Sequence, residues 1–301
     1  MSNSNQSSPS LTYAPHPWTV WYWSLRGIIA IIAVLGNGIV VWLIISRRKL
    51  WTRPNCFVLS LSLADFCAGA INTPLELYCT MLGTSCSSWL VQAIKDMFIV
   101  ASVFNLCAMT IDRYVAVTHS LRYPRIMNDK TCVLVIATAW GLGISIPWIF
   151  YIIRIREFHT YRIISIFRLL FCNALPMAGL VLAYFRMLRI SRKHRRKVGQ
   201  QRQQVDFNYL SKRRVNERSE NRSAVRFIGS MVAFFVFCYS LTFYRVLSSY
   251  ILFISVPYVI VPISRLLYYM NSALNCLVYA LFKKDIRREA RNLFCRTGTE
   301  Q

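Results

Sequence analysis

Apolar residues run through this chain in seven long stretches, near Val20–Ser46, Asn55–Leu82, Trp89–Thr118, Thr131–Ile153, Ile163–Ile190, Ala224–Leu252 and Val256–Phe282. Pro, Gly and clusters of charge punctuate them. A helix that crosses a bilayer needs about 20 predominantly apolar residues, and every stretch is that long. The pattern predicts an all-α membrane protein, a seven-transmembrane helix bundle over 20–282. An N-terminal tail over 1–19 precedes it, and a cytoplasmic helix and tail over 283–301 follow.

Composition agrees, and charge adds an orientation. Of the 301 residues 55% are hydrophobic and 16% charged, which excludes a disordered chain. Lys and Arg total 36 against 12 Asp and Glu, a formal charge of +24. The connections 47–53, 113–130 and 186–226, with the segment after Phe282, hold 28 of the 36 bases. The first 20 residues and the connections 83–88 and 253–262 hold none, while 154–162 breaks the pattern with Arg154, Arg156 and Arg162. Basic residues stay on the cytoplasmic side, so the amino end is expected outside and the carboxyl end inside. Seven spans put the two termini on opposite sides, in agreement. Because the bases flank apolar spans, anionic membrane lipids are the expected partner and nucleic acid is not. The first 20 residues lack the basic start of a signal peptide, so the first span is expected to serve as its own anchor.

Several chemistries lose support at once. The ten cysteines include no Cys-x-x-Cys pair and the four histidines are scattered, so a zinc site is not expected. Neither a phosphate-binding glycine loop nor a serine-hydrolase elbow is present, and no enzyme is expected. Cys79 and Cys86 lie close enough in sequence to pair across a short outer loop. Asn5 begins a glycosylation sequon, and Cys295 follows a basic amphipathic stretch suited to palmitoylation.

Polar residues inside the spans mark candidate sites, since an ionised group at mid-membrane costs about 2.5–3.5 kcal/mol on insertion scales. Asp65 lies halfway along the second span, with Asn37, Ser102, Asn271, Ser272 and Asn275 at comparable depth. One carboxylate with neutral oxygens suits Na⁺, and it equally suits a hydrogen-bonded packing core. Asp112 and Arg113 close the third span, where the acid can hold the base until a partner competes for it, with Tyr184 and Tyr279 at the same inner depth. The outer halves carry Glu76, Lys95, Asp96, Arg168, Arg245 and Arg265, four bases against two acids. Facing inward, they favour an anionic ligand group. Pairing such as Lys95 with Glu76, and snorkelling of the arginines to the surface, are the alternatives.

From about residue 20 to 295 the sequence resembles the class A, rhodopsin-like G-protein-coupled receptors, as a divergent member. The resemblance rests on Gly36-Asn37, Leu61-Ser62-Leu63-Ala64-Asp65, Asp112-Arg113-Tyr114 and Trp140. It continues with Pro176 and Tyr184, Phe235 and Cys238, Asn275-Cys276-Leu277-Val278-Tyr279 and Phe282-Lys283-Lys284-Asp285-Ile286, the last looking like the start of a short amphipathic eighth helix. It implies an allosteric sodium pocket at Asp65, Ser102, Asn271, Ser272 and Asn275, and no covalent cofactor. It implies an activation switch at Asp112, Arg113, Tyr184 and Tyr279 that opens a cavity for a heterotrimeric G protein. Pro176, Val103 and Phe235 match the packing core that links pocket to switch.

The ligand-pocket candidates are the inward-facing charges Lys95, Asp96, Arg168, Arg245 and Arg265, together with Tyr239 and Tyr269 at positions the resemblance marks. Lys95 lies eighteen residues before Arg113, where aminergic receptors carry the aspartate that binds the ligand amine, so an amine transmitter is disfavoured. Tyr269 stands where opsins carry the retinal lysine. The family disulfide is not expected, because Ser88 holds its usual position and residues 149–167 contain no Cys. Tyr239, Leu241 and Cys276 replace a toggle tryptophan and two hinge prolines, and without proline a helix stays straighter. The function expected is a plasma-membrane receptor transducing an extracellular ligand signal to G proteins. A non-signalling decoy is the alternative that the lost hinges suggest. A transporter or channel lacks the internal repeat it would need.

Overall fold

The computed structural model describes residues 19–82, 88–156, 161–202 and 210–296. All their regular structure is helical. In chain order the α-helices are α1 (Thr19–Ser46), α2 (Arg53–Cys67), α3 (Thr73–Leu82), α4 (Ser88–Thr118), α5 (Tyr123–Ile126) and α6 (Asp129–Arg156). They continue with α7 (Tyr161–Leu169), α8 (Leu175–Arg202), α9 (Leu210–Leu247), α10 (Ile260–Phe282) and α11 (Lys284–Arg296). A π-helical segment, Ala68–Asn72, joins α2 to α3 as one span, and another, Leu170–Ala174, joins α7 to α8. A proline follows each, Pro74 and Pro176. The wider turn absorbs the missing proline hydrogen bond without ending the helix.

Six of the resulting rods are long and apolar enough to cross a bilayer. The seventh is α10, whose apolarity Arg265, Asn271, Ser272 and Asn275 dilute. The rods close a ring. α1 packs on α2 and α10, α2 on α4, α8 on α9, and α9 on α10. α4 runs through the middle, touching α2, α6, α8 and α9. Its Ile99, Val103, Leu106 and Met109 are buried with Phe235, Val278 and Tyr279 from across the ring. On α6, Val133, Leu134 and Ile149 face outward, the surface that lipid covers. α6 can approach α4 closely because residue 143 is glycine: a Cβ there would lie 2.5 Å from the Cα of Ala101.

Three span boundaries differ from the sequence reading by four residues or more. α8 runs past Ile190 to Arg202, and α9 begins at Leu210 rather than Ala224. Apolarity marks the part of a helix inside the membrane, whereas Arg, Lys and Gln continue the helix beyond it. The seventh helix begins at Ile260 rather than Val256. The chain before it leaves a third π segment, Ser248–Leu252, through Phe253 in the left-handed region at φ 57°, and Pro257 accepts the turn bond from the amide of Ile260.

Candidate functional site

The bundle holds three polar clusters, stacked from the end where α1 begins to the end where α1 finishes. The first lines a cavity of about 340 Å³ whose walls include Glu76, Lys95, Asp96, Arg168, Arg245, Arg265, Tyr268 and Tyr269. The six ionisable residues singled out from the sequence therefore share one space. Within it the acids are engaged. The Arg168 guanidinium pairs with Asp96, which also accepts from the Gln92 amide at 2.8 Å. Glu76 lies 3.3 Å from the Lys95 ammonium and 3.9 Å from Arg265. The pairing of Lys95 with Glu76 is thus present, alongside an overall excess of base.

The sequence reading missed the third base on Glu76. Arg26, from α1, is 0% exposed and places Nη2 2.8 Å from Glu76 Oε2. Its Nε donates to Thr73 Oγ1 and its Nη1 to the Tyr22 hydroxyl, each at 3.2 Å, and its guanidinium sits 3.4 Å above the Tyr269 ring. A lone Arg in an otherwise apolar span was the available signal, because a charge is retained there only with a partner. Below this cluster an aromatic column runs inward. Tyr269 meets Tyr268 edge-on, Tyr268 meets Tyr239 at 5.0 Å, and Tyr239 lies 4.3 Å from Phe235. Tyr239, at the toggle position, is fully packed in this column rather than on the cavity wall.

The second cluster is centred on Asp65, which is wholly buried. Ser102 Oγ donates to Oδ1 at 2.6 Å and Asn275 Nδ2 to Oδ2 at 2.7 Å, joining α2, α4 and α10. Asn37 donates to the carbonyls of Ala33 and Ser272 at 2.9 and 3.0 Å, and its own Oδ1 is buried without a hydrogen-bond partner. Asn271 and Ser272 are buried beside them. The donor set is all oxygen, with one carboxylate, and an unmatched amide oxygen is what a hard monovalent cation or a water would use. Next to it, Cys276 occupies the proline position of α10 and its thiol donates to the Ala273 carbonyl at 3.1 Å. Gly36 leaves room for that sulfur, which would lie 2.3 Å from a Cβ there.

The third cluster holds the switch residues. Arg113 donates to Asp112 Oδ2 through Nε at 2.8 Å and Nη2 at 2.5 Å. Asp112 Oδ1 accepts from the Tyr123 hydroxyl of α5 at 2.7 Å, a partner the sequence did not suggest. Burial first, and the adjacent Asp112 carboxylate second, raise the Tyr123 pKa and keep that hydroxyl a donor. Tyr184 and Tyr279 have partners of their own. Tyr184 lies across Gly229 of α9, where a Cβ would fall 2.6 Å from its ring, and Tyr279 packs against Phe227 at 6.0 Å. The trio sits at one end of the bundle in three separate contacts, that of Arg113 within α4 and those of Tyr184 and Tyr279 between helices. Nearby, Lys283 donates to Asn55 Oδ1, and Asn55 Nδ2 donates to Asp285 at 3.0 Å, which ties α11 to α2.

Cys79 is disulfide-bonded. Asn5 and Cys86 lie outside the described residues, as does the side chain of Cys295.

Comparison with known proteins agrees with this layout. Residues 36–279 match the model of the 7 transmembrane receptor (rhodopsin family). Trace amine-associated receptor 9 of Mus musculus is 31% identical, the match covering 95% of this chain and 87% of the mouse protein. The human receptor of that name is 28% identical over 93% of this chain and 86% of its own length. The histamine H2 receptor of Cavia porcellus is 25% identical over 89% and 77%. The ordered motifs, the closed ring of helices and these matches coincide, and the chain belongs to the rhodopsin family of seven-transmembrane, G-protein-coupled receptors, multi-pass membrane proteins that signal rather than catalyse.

Proposed function

We propose that this receptor lies in the plasma membrane with its amino end outside, takes an extracellular ligand bearing an anionic group, and passes the signal through Arg113 to a heterotrimeric G protein. The observation that carries the ligand class is the charge of the cavity. Lys95, Arg168, Arg245 and Arg265 line it against Glu76 and Asp96. The relatives bear the names of amine receptors. An amine entering here would meet Lys95, and the neighbouring acid, Asp96, is occupied by Arg168 and Gln92. A cation in that position would have to break the Asp96–Arg168 pair, whereas an anion is drawn by the excess of base on the walls and competes only with Glu76 for Lys95.

Signalling on this reading is a shift between two bundle arrangements, which a ligand achieves only by binding one of them more tightly. The hydrogen bonds from Arg113 to Asp112 fit the resting arrangement, and the guanidinium becomes available to a partner when they open. The Asp65 cluster is read as a Na⁺ site that favours the resting state, with Asp65, Ser102, Asn271, Ser272 and Asn275 as its oxygen shell. The basic connections and α11 are read as lying on the anionic inner leaflet.

The test is G-protein dissociation in cells expressing wild type and Arg113→Ala at matched surface levels, across acidic, amine and peptide ligand panels. A response confined to the acidic panel, lost in Arg113→Ala, is expected. A response to amines alone overturns the ligand class, and an undiminished Arg113→Ala response overturns the switch.

A further inference from the structure

The charges around the cavity separate into a part that is neutralised and a part that is not. Asp96 and Arg168 cancel. Glu76 is approached by three bases from three helices: Arg26 of α1 at 2.8 Å, Lys95 of α4 at 3.3 Å and Arg265 of α10 at 3.9 Å. These are not equivalent. Arg26 is 0% exposed, does not line the cavity, and is fixed by Thr73, Tyr22 and the Tyr269 ring as well as by Glu76. Lys95 and Arg265 both line the cavity, and the Arg265 side chain is 47% exposed. Arg26 alone is enough to neutralise Glu76, which leaves Lys95 and Arg265 as positive charges on the cavity side, where Arg245 also stands.

The two oxygens of Glu76 also differ. Oε2 carries Arg26, Lys95 and the Tyr269 hydroxyl, the last at 3.3 Å, whereas Oε1 faces Arg265 at 3.9 Å, beyond hydrogen-bond length. Arg265 is therefore attracted to Glu76 without being bonded to it.

The geometry points to Lys95 and Arg265 as the subsite for the ligand's oxyanion, with Glu76 as a built-in competing anion and Arg26 as the positioning residue that holds Glu76 back when the ligand arrives. This rests on the anionic-ligand reading above and assigns its residues. A carboxylate or a sulfate or phosphate group would take the Lys95 ammonium and the Arg265 guanidinium together. Bridging α4 and α10 in this way binds the ligand to the two helices that also hold Ser102 and Asn275, so the same contact bears on the Asp65 cluster. Glu76 sets a threshold: an anion has to outbid a carboxylate already in place. Removing that carboxylate strengthens anion binding, and removing Arg26 weakens it, since Glu76 then draws on Lys95 and Arg265 alone.

The experiment uses full-length receptor purified in lipid nanodiscs, with sodium concentration and ionic strength held constant. Saturable thermal stabilisation is measured for succinate and for sulfate. Glu76→Gln is expected to lower the apparent Kd by roughly tenfold, the scale of one charge-assisted hydrogen bond. Arg26→Gln is expected to raise it by a similar factor, and Lys95→Met or Arg265→Gln to abolish saturation. Should Glu76→Gln fail to fold with three bases left unmatched, the double variant Arg26→Met/Glu76→Met removes one charge of each sign and is expected to tighten binding likewise. Which anion binds more tightly separates a carboxylate ligand from a tetrahedral oxyanion. The assignment is overturned if neither anion gives saturable binding in any form, if removing Glu76 leaves binding unchanged or weaker, or if Arg265→Gln binds as well as wild type. Because no G protein takes part, an unresponsive switch cannot mimic any of these results. Conversely, acidic ligands that signal equally in wild type and Glu76→Gln would leave the receptor reading intact and remove this subsite.

Discussion

Asp65 shows how a single buried residue can carry a testable consequence. Its two carboxylate oxygens each accept one bond, from Ser102 and from Asn275. Two such bonds fall short of the six to eight oxygens that Ca²⁺ takes, and a singly charged ion would complete its shell with neighbouring oxygens and water. If Na⁺ binds here, replacing choline chloride by sodium chloride at constant ionic strength should raise the Tm of wild-type receptor. A concentration ten times the Kd corresponds to about 1.4 kcal/mol of stabilisation. Asp65→Asn should show no such rise, and an equal rise in both proteins would remove the ion from this site. Arg26 gives the opposite lesson at the same scale. Its charge stays in the membrane because Glu76, two hydroxyl oxygens and an aromatic face meet it. Loss of one partner from a buried pair costs about 3–5 kcal/mol, so it is expected to be among the least replaceable residues of α1.

At the scale of the elements, helices are tied by short polar relays that cross the apolar core. Trp140 of α6 donates to Ser60 of α2 at 2.9 Å, Ser60 donates to Asn105 of α4 at 2.6 Å, and Asn105 donates to the Ala101 carbonyl at 2.9 Å. Ser60→Ala leaves the indole N–H and the amide oxygen without partners. The expected cost is about 1–3 kcal/mol, read as a lower Tm with unchanged ligand selectivity. The joint between α10 and α11 carries a second prediction. Burial, with Arg113 nearby, lowers the Lys283 pKa from 10.5 to about 8, against the opposing pull of Asp285 and Asp112. The unfolded chain therefore binds more protons than the folded one between about pH 8 and 10.5, and stability contributed by this site rises with pH across that window. Below about pH 8 the full penalty of the buried ammonium is present. Lys283→Met should be more stable than wild type near pH 7, and the difference should shrink by pH 10. A difference that grows with pH would contradict the assignment.

The whole molecule is a polarised object, with bases concentrated at one end of an apolar ring. The orientation this implies is directly measurable. An epitope fused to the amino terminus should be stained on intact cells, and one fused to the carboxyl terminus only after permeabilisation. The reverse result would overturn the orientation and place the cavity on the wrong side for an extracellular ligand. At this scale the altered hinges also matter. α9 runs unbroken from Leu210 to Leu247 through Leu241, and Cys276 continues α10 where a proline would interrupt it. The departures from α-helical geometry lie instead at the π segments Ala68–Asn72, Leu170–Ala174 and Ser248–Leu252.

What the sequence determined by itself was everything set by the solvent. Span number, helical class and the clustering of charge follow from the free energy of placing apolar and charged groups in lipid, which is local to each segment and readable residue by residue. The ordered motifs added the family and located Asp65 and Arg113, while the charged residues of the cavity stood out as ionisable groups in the outer halves of apolar spans. Only the tertiary structure decided which of those residues meet. Arg26 was legible as an anomaly in an apolar span, but its partner, Glu76, lies fifty residues away on another helix. Tyr123 and Asn55 carried no signal, because a tyrosine in a loop and an asparagine at a helix start have many ordinary uses. Nor could the sequence show that Glu76 collects three bases while Asp96 keeps one. That partition depends on the rotation of five helices about their axes, which is fixed by packing such as Gly143 against Ala101 and Gly36 against Cys276, contacts between residues far apart along the chain.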